Sequence, residues 1–192
     1  MNNSIKIFGR IGLLILILFF FSFTFQKEDN KIYYDKNRPL VWADFKGKPD
    51  NTTNLLALTA SNMEYGFSSK DNDATITMNR YFDKTKSWVK EAGKTDYLLK
   101  HEQGHFDMNE IYFRKFVKLL KEHKFYAKTL QDDFKKMYSS ISTELYKQQD
   151  LYDKETNHSI IEAKQKEWNE KIARELKELE QYQDTKIEVH LL

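Results

Sequence analysis

The residues best suited to chemistry in this chain are His101, Glu102 and His105, in the run His101-Glu-Gln-Gly-His105. On an α-helix, residues four apart lie one turn apart and about 40° round the axis, so both imidazoles can offer a nitrogen to one ion. Glu102, beside the first histidine, can reach a metal-bound water without ligating the metal. Zinc lowers the pKa of such a water towards about 7; the carboxylate takes its proton, and hydroxide attacks a carbonyl that the metal polarises. A His-Glu-x-x-His run arises by chance in roughly 1 in 100 chains of this composition. The bland alternative is a pair of core histidines with satisfied hydrogen bonds. Two buried histidines and a glutamate on one helical turn are costly without a partner, and a metal is such a partner.

A catalytic zinc usually has three protein ligands. Glu110, nine residues beyond His101, projects to the opposite side of the helix, and Asp107 also points off the histidine face. The third ligand must come from further along the chain. His158 is the expected one, because it directly precedes Ser159, which forms a capping-box pattern with Glu162. The helix N-terminus behind it disfavours an imidazolium and keeps the ring neutral. Asp153 and Glu155 are the alternatives. His123 lies too far along the first helix, and His190 sits in the tail. The expected centre is therefore Zn2+ on His101, His105 and His158, with Glu102 as general base.

Helices and strands must position these groups. Thr95 is a suitable N-cap for a helix from about 96 to 124, whose apolar positions include Leu98, Met108, Tyr112, Phe116, Leu119 and Leu120. The histidines share that apolar side. Gly104, inside the helix, costs about 1 kcal/mol relative to alanine, which predicts a close approach by another backbone, such as an edge strand. A second helix is expected over about 130–152 and a third from near Ser159 to about 183. The third carries Ile161, Trp168, Ile172, Leu176 and Leu179 on one stripe, opposite a solvated Lys- and Glu-rich face. Upstream, 58–67 and 75–82 alternate in hydropathy around the polar cluster 68–73, which predicts a β-hairpin. Residues 29–50 look irregular, with Trp42 and Phe45 pinning them to the core. The tail from Ile187 reads as a short strand or a frayed end. The fold class is thus α+β, a small antiparallel sheet followed by three long helices.

With these residues in hand, the chain resembles a bacterial family of secreted zinc-dependent proteases, the domain-of-unknown-function 922 family. Four runs carry the resemblance: Trp42-Ala-Asp-Phe-Lys-Gly47, Lys86-Ser-Trp-Val89, Leu99-Lys-His-Glu-Gln-Gly-His-Phe-Asp107 and Tyr152-Asp-Lys-Glu-Thr-Asn-His158. The zinc helix is the specific part. Ser159 stands where the family usually has glycine. The resemblance implies a zincin-like metallopeptidase architecture and a zinc site over nearly all of the exported portion. It supplies no substrate.

The N-terminus sets the compartment. Lys6 and Arg10 precede an apolar run, Ile11 to Phe25, broken only by Ser22 and Thr24, and Lys27, Glu28 and Asp29 end it. That order describes a secretory signal or a retained membrane anchor over residues 1–26, without an Ala-x-Ala cleavage site. The positive charges stay inside, so residues 27–192 are expected outside the cytoplasm, in the periplasm or at the cell surface, as a single domain. The chain has no cysteine, which removes disulfides and Cys-ligated zinc. A net charge of +2, with both signs interspersed, argues against a nucleic-acid partner. The expected function is an exported zinc metallopeptidase acting on peptide or protein substrates. A second reading, from a different class, is a zinc-stabilised interaction module docking through its third helix.

Overall fold

The computed structural model describes residues 30–192, so the signal or anchor expected over 1–26 lies outside the described residues. The elements in chain order are β1 (Lys31–Tyr33), β2 (Ala57–Leu58), β3 (Ser61–Lys70), β4 (Asp73–Asp83), β5 (Trp88–Val89), α1 (Asp96–Glu122), α2 (Leu130–Thr156), α3 (Glu162–Glu178) and β6 (Lys186–His190). The chain is α+β with antiparallel sheets and three long helices. Among the described residues no helix is long and apolar enough to cross a membrane.

The hairpin β3–β4 is the spine of the sheet, in register from Ser61 opposite Phe82 to Lys70 opposite Asp73. Asp71 turns the chain with φ at +55°, a conformation that aspartate tolerates better than most residues. The ladder runs on through Ser68–Lys70, where the apolar alternation has stopped, because backbone pairing does not need it. β3 occupies one edge of β4, and the other edge takes β1 at one end and β6 at the opposite end. The tail is thus a strand. β1 is a short strand inside the stretch expected to be irregular, with too few residues to display a period. β2 and β5 form a separate two-stranded pair that alternation also does not reveal.

Helix α1 is buried on more than one side. Phe113, Phe116, Val117 and Leu120 pack with Ile76 and Met78 of β4 and Phe134 of α2. Met108, Ile111 and Tyr112 pack with Leu145 and Tyr152 of α2 and Trp168 and Ile172 of α3. A buried ionic knot fixes its rotation. Glu110 accepts from Arg80 of β4, with one bond at 2.8 Å, and from Arg114 at 2.7 Å, and Arg114 donates on to the carbonyl of Leu176 in α3. Removing one partner of such a buried set typically costs about 3–5 kcal/mol. Glu110 therefore faces the sheet, as its nine-residue offset from His101 requires. Asp107 likewise turns away from the histidines, accepting from Tyr34 and Gln103, and Gln103 accepts from the backbone of Leu40.

Candidate metal centre

Thr95 caps α1, its Oγ1 accepting from Leu98 N at 3.1 Å, so the helix begins at Asp96, in the turn before His101. His101 and His105 turn their Nε2 atoms towards each other, 3.2 Å apart. From α2, Asp153 brings Oδ1 to 3.1 Å from the first and 3.0 Å from the second. These ligand atoms lie within 4.8 Å of one another, and the three residues could hold a metal ion.

The hydrogen-bond network decides which atoms carry protons. Gln165 of α3 uses its amide nitrogen on Tyr152 Oη at 2.5 Å and Asn169 Oδ1 at 2.9 Å, which leaves its oxygen facing His101 Nδ1 at 2.9 Å. His101 Nδ1 must therefore donate. Gln149 of α2 donates to the His105 carbonyl and turns its oxygen to His105 Nδ1, which donates in the same way. In neutral imidazoles both Nε2 atoms are then bare lone pairs, and both face a carboxylate oxygen. Three acceptors with no proton among them repel unless a cation joins them. Zinc–ligand bonds of about 2.0–2.1 Å place the corners of a tetrahedron about 3.3–3.4 Å apart, close to the observed separations.

Protonation shows the same pressure. Burial lowers the pKa of His105, but the hydrogen bond to Asp153 and the negative charges of Glu102 and Asp153 outweigh it and raise the value. For Asp153 burial pushes upward, and the bonds to His101 and His105 overcome it, holding the carboxyl well below the usual range.

Glu102 is 3 % exposed, lines the same cleft, and has its Oε2 buried without a hydrogen-bond partner. A buried unpartnered carboxylate oxygen calls for an explanation, and a catalytic role is one. The cleft has a volume of about 610 Å³. Residues 53–59, Leu98, His101, Glu102 and His105 of α1, Asp153 of α2 and residues 157–160 line it.

The structure brings His101, His105 and Glu102 together as the spacing predicts. His158 lies at the rim. Its side chain is 49 % exposed and its Nδ1 stands 3.4 Å from Asp153 Oδ1, outside the group of three converging ligands. Of the two alternatives, Asp153 belongs to the group of three that could hold a metal ion, and Glu155 is engaged by the Trp168 indole at 2.8 Å. His123 is 3.6 Å from Asp133, and His190 bonds Asp73.

The capping box expected at Ser159 and Glu162 does not form. Helix α3 starts at Glu162 with Ile161 at its N-cap and no side-chain cap bond. Asn157, His158 and Ser159 instead have φ of +47°, +51° and +77°. This left-handed passage is what glycine would adopt most cheaply at Ser159. Gly104 is also explained differently from the expectation. A Cβ there would meet Tyr152 Oη at 2.5 Å, so the close neighbour is an aromatic side chain of α2 and not a strand. Tyr152 stacks on His101, ring centroids 4.5 Å apart, and donates to the His101 carbonyl.

Gln149 and Gln165 were not singled out by motif. Gln165 carried a signal nonetheless, because it interrupts the apolar stripe of α3 between Ile161 and Trp168, where a polar side chain must find a buried partner.

A family described as "Bacterial protein of unknown function (DUF922)" matches residues 50–159, more than half of the chain. The match takes in α1, α2 and all of His101, Glu102, His105, Asp153 and His158, whereas the Trp42–Gly47 run and Gln165 fall outside it. No curated protein and no solved structure matches.

Proposed function

We propose that this chain, which belongs to that bacterial family of unknown function, is an exported zinc-dependent hydrolase of peptide bonds with a zincin-like site. The observation that carries the reading is the convergence of two imidazole Nε2 atoms and the Asp153 carboxylate, both imidazoles fixed by glutamine acceptors on Nδ1. A nitrogen-rich donor set with one carboxylate suits zinc. Zinc held there would supply Lewis acidity, polarising a carbonyl and acidifying water.

The chain's own groups do the remainder. Glu102 Oε2, unpartnered and beside the histidines, accepts the proton of the attacking water. Water oxygen bonds to the carbonyl carbon, the C–N bond breaks, and the proton stored on Glu102 passes to the departing amine nitrogen. No oxidant or reductant enters. Gln165 and Gln149 hold the two rings in the tautomer that a ligand needs. Tyr152, fully buried on the far side of His101, keeps water away from that ring. The apolar run before Lys27 supports a site outside the cytoplasm. Against the interaction-module reading, the centre of the α3 stripe is already covered, since Trp168 and Ile172 are buried against α1 and α2.

Glu102→Gln tests the reading. Glutamine keeps the shape and can still hydrogen-bond water, but it cannot take a proton at neutral pH. Zinc content should stay near one per chain while cleavage of a peptide library falls by at least about 100-fold. A chain that takes up no zinc from supplemented, chelator-free buffer, or a Gln variant that cleaves as well as wild type, would overturn it.

A further inference from the structure

The walls of the metal cleft have a composition unlike the surface around them. The chain carries 31 lysines and arginines, yet among the described residues none lines the cleft. Two lysines that flank the lining in sequence are engaged elsewhere: Lys90 Nζ donates to the Thr53 carbonyl at 2.5 Å, and Lys94 pairs with Glu91 at 2.6 Å. Apart from histidine, the ionisable side chains of the lining are Glu102 and Asp153, both already used at the centre.

The lining also carries large apolar side chains that stand open to water. Among the lining residues Leu56 is 44 % exposed, Leu58 37 % and Ile160 72 %. Large apolar side chains left in water along a functional cleft mark where a ligand's own apolar groups are received. The absence of a cation has an equally direct meaning. A free C-terminal carboxylate, a phosphate or an acidic side chain entering here would lose its hydration and find, away from the metal centre itself, no lysine or arginine to pair with. A free α-amine would find no carboxylate to spare.

Resting on the hydrolase reading, we infer that the cleft takes an internal, extended stretch of polypeptide whose apolar side chains settle against Leu56, Leu58 and Ile160, and rejects chain termini and acidic residues. The enzyme is endo-acting. A volume of about 610 Å³ accommodates a few residues of extended chain and not a folded domain. Each apolar side chain moved from water to a rim is worth enough to favour Leu, Ile or Phe over Asp or Glu by about 10–100-fold in kcat/KM.

Two measurements test this on the zinc-loaded chain and its metal-free form. In the first, peptides of ten residues are supplied with free termini and with acetyl and amide caps. Cleavage at interior Leu, Ile or Phe, unchanged by capping, is expected. Trimming from an end that depends on a free carboxylate or amine, or a preference for acidic residues, overturns the inference. In the second, binding of a capped leucine-rich hexapeptide to the metal-free chain is followed by NMR, alongside the same peptide with Glu for Leu. The leucine peptide should bind at least about 10-fold more tightly, and Ile160→Arg should narrow or invert that ratio. Ile160 is exposed and outside the metal centre, so this variant should retain its fold. Selective apolar binding without any cleavage would keep the cleft assignment and reject the hydrolase reading. Equal binding of the two peptides would reject the cleft assignment whether or not cleavage occurs.

Discussion

Asp153 shows how a single side chain fixes the character of the site. The motif on α1 supplies two neutral nitrogens, and a third donor decides whether the centre is all-imidazole or mixed. Asp153 Oδ1 sits within 3.1 Å of both Nε2 atoms, whereas His158 approaches only Asp153 itself. Asp153→Ala is therefore expected to lower zinc affinity by more than about 100-fold, and His158→Ala by much less. Gln165→Leu keeps the buried volume but removes the acceptor from His101 Nδ1, so a loss of about 10–100-fold is expected there. Competition with a chromophoric chelator measures all three. An equal loss in His158→Ala and Asp153→Ala would return His158 to the ligand set.

The site exists because α1 and α2 pack closely at one point. Gly104 provides the gap, and Tyr152 fills it while bonding the His101 carbonyl and Gln165. On an exposed helix, Gly→Ala gains about 1 kcal/mol. Here the sign reverses. The new methyl would meet a fully buried hydroxyl at 2.5 Å, and Gly104→Ala should destabilise by about 1–3 kcal/mol in urea unfolding and weaken zinc binding with it. A stabilised variant would show that Tyr152 can retreat freely. The arm before β2 depends on a different contact. Asp44 is buried, and it accepts two bonds from Arg38 and one from the backbone of Val41. Burial pushes its pKa up, but those bonds prevail and hold it below the ordinary value. A depressed carboxylate stabilises the fold above the unfolded pKa of about 3.9 and loses that contribution as pH falls through the folded value. Asp44→Asn should cost about 1–2 kcal/mol at neutral pH, the half-exposed Arg38 limiting the amount, and wild type and variant should converge well below pH 4.

For the whole molecule, the centre joins two long helices in a chain with no cysteine and hence no disulfide. Any ion bound to the folded form alone stabilises it by mass action, by about 4 kcal/mol at 1,000 times its dissociation constant. For a domain of this size, each kcal/mol moves Tm by about 2–4 °C. Saturating zinc should therefore raise Tm by about 8–16 °C over chelator-treated protein. The shift should vanish in Asp153→Ala, as read by scanning calorimetry. An unmoved Tm in wild type would mean that the three donors hold no zinc.

The sequence by itself determined what lies along one helix or one hairpin. The spacing of His101 and His105, the cap at Thr95 and the outward turn of Glu110 all follow from helical geometry, which is local and periodic. The same holds for the β3–β4 hairpin, whose alternation reports one buried face. Features that depend on contact between elements were decided by the tertiary structure. The convergence of Asp153 on the two histidines is one, because it needs the packing of α2 against α1, and three left-handed residues precede α3 around His158. The neighbour of Gly104 is another: a glycine states that something approaches, and only packing shows that it is Tyr152. The glutamines that fix the tautomers come from α2 and α3, far from the motif in sequence, and no local period ties them to it. β1, β2 and β5 are too short to carry a pattern, and their pairing was settled by partners elsewhere in the chain.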